Sequence, residues 1–261
     1  MPGAWPAPLA DVVERRSPVL FLSAHLDDAV LSCGVLMAEL AGRCPLTVAT
    51  VFTEASPPPH TRAARSFLRQ CGAPDAESLF AQRRAEDRAV VAELGAVPVH
   101  LGATDALFRR RSRGLGRLGR ALPELVHRYP TYRFDIARGR VSRGDRRLLD
   151  GLRSEVAGLA AALGAGAVFA PVGIGRHVDH LLSRRIAEGL AVPTVLYSDF
   201  PYDERGGTAD PAVVAHRRPW TGPGDPSTKA AAIRGYRTQA DALFPGGTIP
   251  ARAETYWAET Y

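Results

Sequence analysis

Lysine is almost missing from this chain. Lys229 is the only one among 33 basic residues in 261, so nearly every positive charge is an arginine. A formal net charge of +6 could suggest a polyanionic partner, but the charge is local. Arg109, Arg110, Arg111, Arg113, Arg117 and Arg120 crowd one glycine-interrupted stretch, and five more arginines follow from Arg138 to Arg147. Such runs are ordinarily solvated, mobile loops; the other reading is an anion-contacting flap over a substrate site. The two arginine runs lack interleaved aromatics and no nucleic-acid module is visible, so nucleic acid is an unlikely partner and any such affinity should be weak and salt-sensitive.

Cysteine is scarce as well. Cys33, Cys44 and Cys71 form no CxxC pair and leave an odd one over, which argues against a disulfide framework and a thiolate zinc site. Any metal here must be held by nitrogen and oxygen. No stretch approaches the roughly 18 uninterrupted apolar residues of a spanning helix, and MPGAWPAPLADVVERR lacks the basic-then-apolar order of a signal peptide. The expectation is a soluble cytoplasmic protein with no membrane association. A hydrophobic content of 46% is enough for a large core, and one domain over residues 1–261 is expected, with an arginine-rich excursion at about 105–147.

What the sequence does contain is a regular alternation. Ser17-Pro18 followed by VLFLSA predicts a buried strand, and Leu31, Val35, Leu36 and Leu40 recur at helical spacing between Ala29 and Ala41 before a second strand at LTVATVF. Helices are predicted over 61–70 and 77–94, a third strand over 97–101, and a short helix around 122–128 within the excursion. A helix over 148–163, a strand over 167–172, a helix over 177–190 and a fifth strand over 193–200 follow. A last helix is predicted over 229–244 before the aromatic tail AETYWAETY, which could pack on the domain, fill a neighbour's cleft or be disordered. This pattern implies an α/β, Rossmann-like fold, with a mostly parallel sheet covered by helices on both faces.

Ligands of such sheets bind beyond the carboxyl ends of the strands. His25-Leu26-Asp27-Asp28 directly follows the first strand, and His177-Val178-Asp179-His180 directly follows the fourth. His25 and Asp28 are spaced to converge on a tight turn while Asp27 points elsewhere, and His177 and His180 lie one helical turn apart. One imidazole and one carboxylate from the first loop, with one imidazole from the second, would make the His₂-carboxylate set of a catalytic zinc site. A spare carboxylate there could take a proton from water, and a spare histidine could hold an oxyanion or protonate a leaving amine. Taken singly, each motif is more ordinary: HLDD as a cap or Asx turn, HVDH as a helix start favoured by Asp179.

These motifs resemble those of a known family. AHLDDAVLSCG is similar to the AHPDDE-type motif of the LmbE-like, or PIG-L, zinc-dependent N-deacetylases, and GRHVDH to their second motif. The likeness extends to Arg83 and Glu86, to Asp105, to YSDFPYDE, and to Lys229, Tyr236 and Gln239. The resemblance implies that His25, Asp28 and His180 bind one Zn²⁺, a set that also accepts other divalent metals such as Fe²⁺. It implies that Asp27 is the general base, that His177 stabilises the tetrahedral species or acts as the acid, and that Asp179 is the partner of His177. Arg83 and Asp105 would contact substrate, although an arginine on a charged helix is ordinarily solvated and an aspartate opening a polar loop is often a turn residue. Leu26 and Ala29 depart from the motif's proline and glutamate, and Gly175 stands where sugar-deacetylating relatives often have a tyrosine. The implied reaction is removal of an acyl group, most simply acetyl, from an amino sugar or related small natural-product intermediate. An amidase acting on a thiol conjugate, or an inactive ligand-binding member of the fold, are the alternatives.

Overall fold

The computed structural model describes Trp5, residues 9–111 and residues 116–259; Arg113 and the last two residues of the aromatic tail lie outside these. In chain order the elements are α1 (Leu9–Glu14), β1 (Val19–Ser23), α2 (Asp28–Leu40), β2 (Leu46–Glu54), α3 (Arg62–Gln70), α4 (Ala76–Glu93), β3 (Ala96–Thr104), α5 (Gly116–Ala121) and α6 (Pro123–Val126). A π-turn at Tyr132–Ile136 precedes α7 (Arg146–Leu163), β4 (Ala167–Pro171), α8 (Val178–Ala187), β5 (Thr194–Tyr197), α9 (Pro211–Val214), β6 (Arg217–Thr221), α10 (Lys229–Arg234), α11 (Arg237–Leu243) and β7 (Thr255–Glu259).

The strands form one sheet in the order β3-β2-β1-β4-β5-β7-β6. The first five are parallel, as the alternation of strands and helices requires. Along β1, Val19 and Phe21 enter the core beneath α2, while Leu20 and Leu22 enter the core beneath α7 and α8, so the apolar run is covered on both faces. From β1 the chain steps outward through β2 to β3, then returns to lay β4 on the other side of β1. The β1/β4 boundary is therefore the point where strand order reverses, and the loops leaving the carboxyl ends of both strands open onto one crevice. Those loops are HLDD and GIGRHVDH.

Three features differ from expectation. The aromatic tail becomes β7 and, with β6, adds two strands in antiparallel pairing at the β5 edge. The last helix is broken at Tyr236, whose hydroxyl donates to Asp87 Oδ1 at 2.9 Å. The described part of the excursion is not loose, because Phe108, Tyr129 and Ile136 from it share a buried cluster with Leu26, Phe80 and Val178. Among the described residues no helix is long and apolar enough to cross a membrane.

The only lysine is buried, at 2% exposure. Lys229 Nζ donates to the Leu31 carbonyl of α2 at 3.1 Å, while the Glu254 carboxylate accepts the Val35 and Leu36 amides at 2.9 Å each and the Tyr256 hydroxyl at 2.8 Å. Gly34 makes room, since a Cβ there would sit 3.3 Å from Lys229 Cβ. Together these side chains seat the helix whose first residue is Asp28. Lys229→Met removes the cation 3.8 Å from the buried Glu254 carboxylate and is expected to lower stability by about 2–4 kcal/mol in urea unfolding, with Lys229→Met/Glu254→Gln recovering part of the loss. A change below about 1 kcal/mol, the scale of an exposed ion pair, would contradict this.

Candidate metal and catalytic site

The turn after β1 is tied by its own backbone. Ser23 Oγ donates to the His25 carbonyl at 2.6 Å and accepts the Ala29 amide at 3.0 Å, and the His25 amide donates to Asp28 Oδ2 at 2.8 Å. This places Asp28 Oδ2 3.1 Å from His25 Nδ1 and 3.3 Å from His180 Nε2, so one carboxylate oxygen faces a nitrogen of each imidazole.

The far nitrogens of both rings are braced by acids. His180 Nδ1 donates to Asp199 Oδ1 at 2.6 Å, and Asp199 Oδ2 is itself fixed by the Gly173 and Ile174 amides at 2.7 Å each. His25 Nε2 lies 3.4 Å from Asp179 Oδ2 and 3.6 Å from Asp105 Oδ2. Because the braced nitrogen of a neutral imidazole carries its proton, the inner nitrogen is a lone pair aimed at a carboxylate oxygen. Such facing acceptors require a cation, either protons or a metal. With protons alone, burial opposes the charge on His25 and His180, yet the surrounding carboxylates outweigh it and raise both above the usual histidine range. Asp28 is held well below the usual carboxylate range by His180 and His25 against the effect of burial. Two sets of ligand atoms lie within 4.8 Å of one another, His25 with His177 and His180, and His25 with Asp105 and Asp179.

Asp27 caps α2 by position only, with no side-chain capping bond. Its carboxyl is pushed up to about 7 by burial and by the charge of Asp28, with Arg83 and His25 pulling the other way. His177 is the N-cap of α8, and its Nδ1 accepts the Asp179 amide at 3.3 Å. That bond leaves the ring proton on Nε2. Burial and the neighbouring His25 charge then push the His177 pKa well below its ordinary value, so the ring is a neutral donor.

Asp179 sits differently from the role that the resemblance implies. Its carboxylate addresses His25, accepts the Ala106 amide at 2.8 Å and is paired with Arg109 at 2.5 Å, while it acts on the His177 ring through its backbone amide and its charge. Arg109, read above as one of a solvated run, is 5% exposed. It also donates to Asp145 at 2.9 Å, and its guanidinium lies 4.7 Å from the centre of the Phe52 ring. Arg83 is likewise buried: it donates to Gln239, whose Nε2 donates to the Leu26 carbonyl at 2.8 Å, and its Nε has no hydrogen-bond partner among the described residues. Asp105 is both a turn residue, accepting the Leu107 amide at 2.8 Å, and a neighbour of His25. Asp199, Arg109 and the clamping role of Gln239 were not assigned from sequence. Asp199 lies within the quoted YSDF stretch, whereas nothing local distinguishes Arg109 from its neighbours.

A cavity of about 710 Å³ lies elsewhere, lined by Glu188, Pro193, Thr194 and Arg217 at the start of β5 and β6. It sits at the opposite edge of the sheet and contains no histidine, so the acid and imidazole cluster is the stronger candidate for chemistry.

Residues 20–191 match the PIG-L family, described as GlcNAc-PI de-N-acetylase. Over 194 residues the chain is 30% identical to 2'-N-acetylparomamine deacetylase of Streptomyces fradiae, covering 72% of this chain and 58% of that protein, so it spans less than two thirds of that relative. Among solved structures, it is similar to the A40926 pseudoaglycone deacetylase, at 26% identity and a TM-score of 0.70 over 93% of this chain and 97% of the other. A deacetylase of the teicoplanin biosynthesis pathway gives 25% identity and a TM-score of 0.74 over 92% and 97%.

Arg109→Met leaves Asp179 buried without its arginine and Asp145 with only Arg128 at 3.1 Å, and is expected to cost about 3–5 kcal/mol of stability. The exposed Arg120→Met should change it by less than about 0.5 kcal/mol. Equal, small effects in urea unfolding would return Arg109 to the solvated reading.

Proposed function

The chain belongs to the PIG-L family, and from that premise and the geometry of the crevice we propose that it is a zinc-dependent N-deacetylase acting on an acetylated amino sugar. The observation that carries this reading is the single oxygen of Asp28 facing two imidazoles whose outer nitrogens are already braced by Asp199, Asp179 and Asp105. His25, Asp28 and His180 fit a divalent cation, being one carboxylate and two neutral imidazoles turned inward. A zinc ion bound there supplies a Lewis acid that lowers the pKa of water and draws charge from a carbonyl.

The chain's own groups divide the remaining work. Asp27, adjacent to the ligand Asp28 and not spent on capping, takes the proton of the attacking water and, having gained it, is placed to return it to the leaving amine. His177 presents Nε2–H to the carbonyl oxygen as negative charge develops there. Since Nδ1 is engaged by the Asp179 amide, donation without transfer is the role that fits this ring. Arg109 keeps Asp179 ionised, and Asp179 keeps His25 turned toward the metal. Gln239 holds the Arg83 guanidinium, whose charge lowers the Asp27 pKa against the effect of burial. The excursion belongs to the same catalytic domain as the sheet. The curated relative and the two structures above are named as deacetylases, of a paromamine derivative, an antibiotic pseudoaglycone and a member of the teicoplanin pathway, and this supports an amino sugar over a thiol conjugate.

The test pairs metal content with acetate release from a panel that includes 2'-N-acetylparomamine and N-acetylglucosaminides. Asp27→Ala is expected to retain its metal while losing about 10²–10⁴-fold in turnover. His180→Ala should lose the metal, and Asp199→Ala should bind it about 10–100-fold more weakly. Loss of metal from Asp27→Ala with retention in Asp28→Ala would reverse the two roles, and a wild-type protein that refuses zinc would end the hydrolase reading.

A further inference from the structure

Asp27, Asp28, Asp105 and His177 are all buried, and two tyrosine rings lie next to the paired histidines. Tyr202, in the loop after β5, packs into the space that Gly175 leaves, where a Cβ would come within 2.7 Å of its ring. Gly175 also has a φ of +79°, so the absence of a side chain suits both the backbone and the neighbouring ring. Tyr202 meets the His180 ring edge-on, with centroids 5.8 Å apart at 90°. Tyr132, on the π-turn of the excursion, has its ring centroid 6.0 Å from that of His177 and is 44% exposed. A fixed ring and an open ring thus flank the two histidines of HVDH.

We propose that Tyr132 and Tyr202 are the sugar-recognition edge of the site: the pyranose stacks on the exposed face of Tyr132, with its acylated nitrogen directed toward His177. Tyr132 is then a specificity-determining residue. A pyranose carries an apolar face of C–H groups and a rim of hydroxyls. An aromatic face removes the first from water, while the phenolic hydroxyls address the second. An acyclic acetamide has no such face and should be indifferent to the ring. Tyr202, wedged at Gly175, holds the far wall in place, so the variable contact is with Tyr132. The inference rests on the amino-sugar reading above for the direction of the substrate, but recognition of the ring does not require turnover.

The experiment measures binding by saturation-transfer NMR with two probes, N-acetylglucosamine and N-acetylethanolamine, on the metal-loaded wild type, Tyr132→Ala and Tyr132→Phe, with thermal unfolding as the folding control. Tyr132→Phe keeps the stacking face and is expected to bind N-acetylglucosamine within about threefold of wild type, whereas Tyr132→Ala should weaken it by about tenfold. Binding of N-acetylethanolamine should be the same in all three. Unchanged sugar binding in Tyr132→Ala, an equal loss for both probes, or a wild type that binds no sugar would each overturn the proposal. Acetate release measured on the same samples keeps the two readings apart. Sugar binding that depends on Tyr132 without hydrolysis would sink the deacetylase and spare the stacking edge, and hydrolysis indifferent to Tyr132 would do the reverse.

Discussion

Everything near the crevice follows from one arrangement: a carboxylate oxygen of Asp28 shared between inward-facing nitrogens of His25 and His180. Three acceptors cannot be brought together in a buried place without positive charge, and each imidazole must also be stopped from turning its protonated side inward. The acids around the rings meet that second need. Asp199 is locked by two amides and locks His180; Asp179 is locked by Ala106 and Arg109 and faces His25. Each brace is a carboxylate that would be costly to bury alone, so each brings its own donors, and the network extends outward until it ends in backbone.

The scaffold repeats this logic on the far side of α2. The helix that starts with Asp28 must keep a fixed axial position for that carboxylate to meet both imidazoles, and the Lys229 and Glu254 side chains hold it from segments near the end of the chain. The scarcity of lysine in the sequence and the burial of Lys229 then fit together. A compact ammonium on a long stem can reach a helix carbonyl through a gap one glycine wide, where a planar guanidinium would be bulkier.

The parallel part of the fold is legible because its strands are short apolar runs and its helices show clean periodicity, and the crevice is legible because the histidines and acids it gathers lie in two compact motifs at strand ends. What escaped notice depends on distance along the chain. Arg109 looks like its neighbours in a basic run, and its partners Asp145 and Asp179 lie 36 and 70 residues away. β6, reading RRPWT, has neither alternation nor an apolar run, and it is a strand only because β7 pairs with it. The helix at 229–244 was read as continuous because periodicity does not register that Tyr236 turns inward to reach Asp87. The resemblance pairs Asp179 with His177, and the contact of its carboxylate with His25 of the other motif is one that spacing along the chain does not reveal.

Arg109 at the start of the excursion and Asp145 at its end are bonded to each other, with Tyr129 also held by Asp145. The described ends of the excursion are therefore pinned to each other, and because the same Arg109 guanidinium also pairs with Asp179 beside His25, a shift of those ends is felt at the imidazole.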